Sequence, residues 1–102
     1  MTNISLDPII PGDVLKESFI EEYGITAASL ADAIGVPKNR IYEIIHGKRE
    51  ITPDTAYRLS CYFGNSPDFW MNLQVRYNMR QYEKNRWKAV KSRILPYQSS
   101  YA

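Results

Sequence analysis

Apolar residues recur along this chain at spacings of three and four, the period of an α-helix, and the alternating pattern of strands is nearly absent. The first segment, "PGDVLKESFIEEYG", ends at Gly24 and carries one apolar stripe: Val14, Leu15, Phe19 and Tyr23. The second, "TAASLADAIG", predicts a helix with Thr26 as its N-cap and Gly35 at its end.

Three more segments begin with proline or N-cap residues that are typical of helix starts. "PKNRIYEIIHG" begins with Pro37 in the first helical turn and closes with glycine, "TPDTAYRLSCYFG" begins with Thr52 as its cap, and "SPDFWMNLQVRYNMRQYEKN" begins with Ser66 as its cap. Loops of two to five residues join these segments. The pattern therefore predicts five short helices packed into one compact all-α domain.

The chain divides into three regions by this pattern. Residues 1–10 predict an irregular arm, residues 11–80 the helical domain, and residues 81–102 a basic C-terminal extension. Trp87, Val90 and Ile94 have helical spacing, so we expect the extension to be partly helical before a frayed end that follows Pro96.

Composition excludes several classes of protein. The 102 residues are 44% hydrophobic and 24% charged, which is typical of a folded globular domain. No apolar run approaches the ~18 residues that cross a bilayer, and no signal peptide is evident, so we expect a cytoplasmic protein without membrane contact. One cysteine and one histidine make neither an internal disulfide nor a structural zinc site, and we expect no metal and no cofactor.

Charge is unevenly distributed along the chain. Residues 1–35 hold one cation and six anions, whereas the rest holds twelve cations and five anions. This segregation favours a polyanionic partner for the second part, although solvated helix faces also carry charge.

The second and third helices have the spacing of a helix-turn-helix. With Ala27 as the first position, Ala31 is the fifth, Gly35 the ninth and Ile41 the fifteenth. A small residue at position 31 lets the third helix approach the second closely, and glycine tolerates the positive φ of the turn. A generic helical hairpin is the alternative interpretation.

The outward face of the third helix favours the helix-turn-helix. Its isoleucines share one side, which leaves Asn39, Glu43 and His46 on the opposite side. Arg40 and Tyr42 lie on the flanks and Lys38 at the N-terminal tip, and these polar groups suit base edges. Glu43 either reads a cytosine amino group or points aside. Lys48 and Arg49 follow where phosphates would lie, and the backbone N–H groups near Thr26 and Ala27 can bind a phosphate. With Pro37, these residues form the predicted DNA-binding set.

Other chemistry is less favoured by the sequence. His46 has no nucleophile or paired carboxylate near it, so a DNA contact is preferred over catalysis and the chain is not expected to be an enzyme. A small RNA-binding or nucleolytic enzyme is the alternative from another class. Cys61 fits a packing role better than a redox role.

The fifth helix carries an aromatic stripe that we assign to a homodimer interface: Phe69, Trp70, Leu73 and Tyr77. A two-fold dimer places two recognition helices in successive major grooves, about 34 Å apart. Core packing and a ligand cage are the other interpretations.

The basic stretch from Arg76 to Arg93 is a solvated helix, a DNA backbone contact or a protein-docking surface with Trp87 and Ile94 as anchors, and the sequence leaves these three open.

Residues 11–77 resemble the HigA-type, or VapI-like, antitoxins of the phage-repressor-like (Xre) helix-turn-helix family. The resemblance is carried by "PGDVLKESF" and by "LADAIGVPKNRIYEIIHGKREITPDTAYRLSCYFGNSPDFWMNLQ" followed by "RY", and its most specific parts are "GKREIT", "DTAYRL" and "FGNSPDFWMNLQ". It implies a homodimeric autorepressor that binds operator DNA and neutralises a RelE-like, mRNA-cleaving toxin by direct binding. A stand-alone transcriptional regulator without a toxin is the alternative within the family. The tail after residue 80 matches no family pattern.

Overall fold

The computed structural model describes residues 9–98, and every regular element in that range is helical. Helix α1 consists of an α-helical turn, Pro11–Asp13, and a π-helical stretch, Val14–Ile20. It is followed by α2 (Ala27–Ile34), α3 (Lys38–Ile45), α4 (Pro53–Phe63) and α5 (Pro67–Tyr82). The predicted all-α fold with five helices is confirmed.

Helix α5 continues beyond the domain. A π-helical stretch, Glu83–Trp87, and a short α6, Lys88–Lys91, follow it directly, so the predicted helical continuation is present. The predicted frayed end from residue 99 onward, and residues 1–8 of the predicted N-terminal arm, lie outside the described residues. None of the described helices has the length and apolar character that crossing a bilayer requires.

Two helix starts differ from the sequence prediction. Pro37 has extended backbone and occupies the N-cap position of α3, so the helix begins at Lys38, one residue later than predicted. Thr52 is the N-cap residue of α4, but its hydroxyl caps no backbone N–H. The hydroxyl lies 3.5 Å from that of Thr55 instead. Ser66 caps α5 as predicted, by accepting from the N–H of Phe69 at 3.2 Å.

The core joins all five helices around Trp70, whose side chain is fully buried. Its ring lies 4.7 Å from that of Phe19 on α1, and its Nε1 donates to Oδ1 of Asn65 at 3.0 Å. The other buried apolar residues come from α1 to α4 and from one loop: Leu15, Ile20, Ala27, Leu30, Ala31, Ile34, Ile41, Ile44, Ile51, Ala56 and Leu59. The indole buries a large apolar area, and the hydrogen bond to Asn65 leaves its N–H satisfied.

Gly12 sets how closely α1 approaches α3. A Cβ atom at this position would lie 2.8 Å from the carbonyl oxygen of Ile45 and closer still to that of Ile44. Both obstacles are backbone atoms, which cannot rotate away. The start of α1 therefore packs directly against the last turn of α3, and only glycine fits there.

A buried amide connects α5 to the loop that follows α3. Gln74 is buried, and its Oε1 accepts a hydrogen bond from the backbone N–H of Ile51 at 2.9 Å. Its Nε2 donates to Oδ1 of Asn78 at 3.0 Å. Since both ends of the amide are satisfied, the loop is held against α5 without an uncompensated polar group.

Arg58 on α4 holds the turn between α2 and α3. Its Nη1 donates to the carbonyl oxygen of Ile34 at 2.7 Å, and its Nε donates to both oxygens of Asp54, at 3.0 and 3.1 Å. Asp54 also accepts from Nη1 of Arg40 on α3, at 2.7 Å. One carboxylate thus links the third and fourth helices, and the hydrogen bonds from Arg58 and then Arg40 lower the pKa of Asp54.

We predict that Gly12→Ala destabilises the domain, because the added methyl must displace the backbone at the end of α3. The expected loss is roughly 1–3 kcal/mol in the free energy of unfolding, as for other overpacked sites. Urea unfolding followed by circular dichroism measures it. Ser18→Ala, an exposed change on the same helix, is the control and should cost less than about 0.5 kcal/mol.

We also predict that Asp54 adds a pH-dependent contribution to stability. Because its folded pKa lies below the ordinary 3.8, the contribution is complete above that value and disappears as pH falls through the lowered pKa. The stability difference between wild type and Asp54→Asn should therefore shrink as the pH is lowered from about 5 towards about 2. A carboxyl NMR titration in which Asp54 ionises at or above its ordinary value would contradict this prediction.

Candidate nucleic-acid interface

Helices α2 and α3 form the predicted helix-turn-helix. Ala31 and Ile41 are buried in one core cluster, and Gly35 ends α2 in the left-handed conformation with φ +74°. The turn is closed by two backbone hydrogen bonds, from the N–H of Gly35 to the carbonyl of Asp32 at 3.3 Å and from that of Val36 to Ala31 at 3.0 Å. The steric roles that the sequence predicted for Ala31, Gly35 and Ile41 are confirmed.

The start of α2 is capped by the side chains of its own first turn. Thr26 and Ser29 form a reciprocal capping box, in which each hydroxyl accepts from the backbone N–H of the other residue at 3.0 Å. The N–H of Thr26 is thus already donated to Ser29, and a phosphate contact through the other backbone N–H groups at the start of α2 stays a prediction. The side chain of Ala27 is buried, so this residue offers a phosphate only its backbone N–H.

The two faces of α3 separate as the sequence predicted. Ile41 and Ile44 are fully buried, whereas the opposite side is exposed to solvent: Lys38, Asn39, Tyr42 and His46. The side chains of Lys38 and Asn39 make no hydrogen bond or ion pair with any other described residue. They are available for a partner outside the domain.

Arg40 is presented differently from its neighbours. Its side chain is only 28% exposed, and its Nη1 lies 2.7 Å from the carboxylate of Asp54. A charge-assisted bond of this length favours an orientation of the side chain at the edge of the exposed face. Sequence reasoning missed Asp54, because its partnership with Arg40 spans fourteen residues and no local spacing indicates it. Of the two ion pairs of Asp54, sequence spacing could have indicated the one with Arg58, four residues away on the same helix.

Glu43 points towards Arg49, as one of the two alternatives from the sequence has it, and its contact with a base stays a prediction. Its Oε1 accepts from Nε of Arg49 at 2.8 Å. The pairing neutralises a carboxylate that would otherwise repel phosphate. It also leaves the terminal nitrogens of Arg49 unpaired among the described residues.

Lys48 lies beside this pair and is exposed. Its backbone N–H donates to the carbonyl of Glu43 at 2.8 Å, which closes the chain just after α3, and its ammonium has no partner within residues 9–98. The loop thus places two cations next to the exposed row of α3. Lys48 has no partner among the described residues, and Arg49 is paired with Glu43 through its Nε.

The predicted dimer interface requires one correction. Trp70 is fully buried in the core of its own chain, so it has no surface to offer a second copy. Leu73 packs against the same core, and Tyr77 is half-buried and accepts from Nε2 of Gln81. Phe69 is exposed. Its assignment to an interface, like those of Leu73 and Tyr77, stays a prediction.

Known proteins share both the sequence and the shape of this chain. The family described as helix-turn-helix matches residues 17–70. Virulence-associated protein I of Dichelobacter nodosus is 40% identical over 78 residues, which cover 76% of this chain and 72% of that protein. Antitoxin HigA-1 of Vibrio cholerae is 40% identical over 67 residues, covering 66% and 63%.

Solved structures agree with these relatives. An addiction module antidote protein of the HigA family from Coxiella burnetii superposes with a TM-score of 0.83 at 38% identity, covering 89% of this chain and 99% of that one. Antitoxin HigA of Pseudomonas aeruginosa, solved with the higBA promoter, gives 0.85 at 36% identity with the same coverage. The chain therefore belongs to the helix-turn-helix family, in its group of HigA-type and VapI-like antitoxins.

Proposed function

We propose that this protein binds double-stranded operator DNA as a homodimer, represses its own promoter, and serves in the cytoplasm as the antitoxin of a type II toxin–antitoxin pair. It acts by binding and not by catalysis. In this proposal, it neutralises a RelE-like, mRNA-cleaving toxin through direct contact.

The observation that carries the DNA-binding proposal is the exposed row of α3. Lys38 and Asn39 have no partner among the described residues, and their donors and acceptors suit the guanine and adenine edges of the major groove. The helix that bears them is held on a rigid helix-turn-helix frame by Arg58 and Asp54. A side chain that is free at its tip but mounted on a fixed helix is suited to base recognition.

Arg40, Arg49 and Lys48 extend this row towards the DNA backbone. Lys48 is a free point charge and would contact phosphate without reading sequence. Arg40 and Arg49 each keep a carboxylate partner, which orients the guanidinium before DNA arrives and lowers the entropy lost on binding. Exposed ion pairs of this kind are weak, so a phosphate or a base can replace or share the carboxylate.

Support for an operator as the ligand comes from the relatives. The P. aeruginosa HigA antitoxin was solved with its promoter, and the related protein PA4674 was solved with its operator. Two copies of this chain related by a two-fold axis would place two α3 helices in successive major grooves, about 34 Å apart.

We predict separable effects on DNA binding from two substitutions. Asn39→Ala should cost roughly 1–3 kcal/mol on the chain's own promoter and relax the preference at one base pair, whereas Lys48→Ala should weaken all sequences alike and reduce the salt slope by about one. Fluorescence anisotropy against promoter and scrambled duplexes at several salt concentrations measures both.

Lys16→Ala is the matched control, since Lys16 is an exposed lysine on α1, outside the proposed face. It should leave affinity and salt slope unchanged. The assignment of the face would be wrong if Asn39→Ala and Lys48→Ala bound both duplexes as wild type does.

The toxin partner is tested through the adjacent reading frame. We expect it to encode a small basic protein that co-purifies with this chain and whose mRNA cleavage this chain inhibits in a purified translation assay. Failure of the two products to bind each other, with operator binding intact, would identify a stand-alone regulator instead.

A further inference from the structure

A small cavity adjoins the two cations of the loop that follows α3. Its volume is about 180 Å³, and it is lined by the start of α1, by that loop and by the middle of α5. The apolar part of its wall includes Ile10, Pro11 and Ile44. The polar part comes from the loop and from α5: Lys48, Arg49, Glu50, Gln74, Tyr77 and Asn78. The two predicted phosphate contacts of the loop thus share one concave surface with α5, which we call the loop cavity.

Two side-chain amides of the loop cavity are oriented by a backbone donor. The N–H of Ile51 requires an oxygen, and Oε1 of the buried Gln74 accepts from it at 2.9 Å. The nitrogen of the same amide therefore faces Asn78 and donates to its Oδ1 at 3.0 Å. Because an amide nitrogen donates hydrogen bonds and does not accept them, turning either amide over would break this chain. Asn78 is thus held with its Nδ2 on the free side of its amide.

The loop cavity has two neutral donors that its own chain does not use. Nδ2 of Asn78 carries two hydrogens, and no acceptor for them lies within residues 9–98. The hydroxyl of Tyr77 accepts from Nε2 of Gln81 at 3.1 Å and donates to no group of the described chain. Both donors are on α5, one residue apart.

The charged groups of the loop cavity sum to a positive charge. Lys48 forms no ion pair in the described part of the chain, and Arg49 uses only its Nε on Glu43, so the terminal nitrogens of Arg49 stay available. Glu50 is the one carboxylate among the residues that line the cavity. Two cations and two neutral donors around one carboxylate make this surface suited to an anion.

We propose that the loop cavity holds one phosphate group of the operator backbone, with Asn78 and Tyr77 as neutral donors beside Lys48 and Arg49. The inference rests on the proposed DNA-binding function and adds α5 to its contact surface. Tyr77, which the sequence assigned to a dimer interface, donates to DNA in this arrangement.

The position of the loop cavity favours DNA over a free phosphate compound. Its two cations follow directly after α3, the helix proposed to enter the major groove, and phosphates line the edges of that groove. A phosphate on a duplex that α3 already holds reaches the cavity at a high effective concentration. A free phosphate compound has the same chemistry without this advantage, so it is the competing occupant.

Asn78→Asp is the sharpest test, because it changes only the outward half of the amide. The carboxylate keeps an oxygen that accepts from Gln74 and has the size of the amide, but it presents a charged acceptor where Asn78 presents two N–H groups. Circular dichroism with thermal unfolding verifies the fold. Fluorescence anisotropy of the full chain with promoter and scrambled duplexes, at several salt concentrations, measures the affinity for DNA.

We expect Asn78→Asp to weaken promoter binding about tenfold or more, and Tyr77→Phe, which removes only the hydroxyl, to weaken it about threefold. Each variant should weaken the scrambled duplex by the same factor, since a phosphate contact carries no sequence information. Tyr77→Phe decides the matter alone if Asn78→Asp does not fold.

Asn72→Asp is the matched control. It makes the same charge change at an exposed position of α5 that does not line the loop cavity. Its affinity for both duplexes should stay within about twofold of wild type, because salt screens a charge that lies away from the contact.

A titration with inorganic phosphate distinguishes the two sources of the anion. The side-chain amide signal of Asn78 in an isotope-labelled wild-type chain reports occupation of the loop cavity by nuclear magnetic resonance. We expect promoter DNA to shift this signal at stoichiometric amounts, whereas inorganic phosphate should not saturate it below about 1 mM.

Three results would overturn the inference. The first is promoter binding by Asn78→Asp and Tyr77→Phe that equals that of Asn72→Asp. The second is saturation by inorganic phosphate below about 1 mM with DNA affinity unchanged in Asn78→Asp, which would assign the cavity to a free phosphate compound. The third is a weaker self-association of Asn78→Asp in sedimentation equilibrium that accounts for its loss of affinity. A wild-type chain that binds no promoter DNA would instead remove the proposed function, so the two failures are distinguishable.

Discussion

The close approach of α2 and α3 at a sharp turn is the constraint on which the rest of this structure depends. The small side chain of Ala31 on α2 allows α3 to approach closely, and Gly35 adopts the positive φ that reverses the chain. Arg58 then crosses from α4 to the carbonyl of Ile34 at the end of α2, so that the turn is held by a third helix. A turn supported from both sides presents α3 at one angle only.

The polar side chains around α3 fall into two groups with different physical roles. Lys38, Asn39 and Lys48 are free at their tips and lose rotamer freedom only when a ligand orders them. Arg40 and Arg49 are oriented in advance by Asp54 and Glu43. The side chains of the first group can adjust to a ligand, whereas those of the second group have a defined geometry. The proposed DNA interface would use both, since it needs contacts with bases and with the phosphate backbone.

Segregation of charge along the chain gives the molecule one acidic and one basic region. The acidic residues collect on α1, which packs on the first half of α5, while the cations continue along α5 and beyond it. The acidic and the basic surface of one molecule therefore lie on different helices.

The sequence by itself determined the helices, the helix-turn-helix and the separation of α3 into a buried and an exposed face. Each of these depends on residues a few positions apart, through helical periodicity, capping residues and the steric limits at Ala31 and Gly35. Tertiary structure decided the rest. It buried Trp70, which the sequence offered to a partner, and it paired Arg40 with Asp54 and Glu43 with Arg49. It also required glycine at position 12. Most of these outcomes depend on which helices meet in space, and a linear pattern of polar and apolar residues does not encode the distance between side chains on different helices.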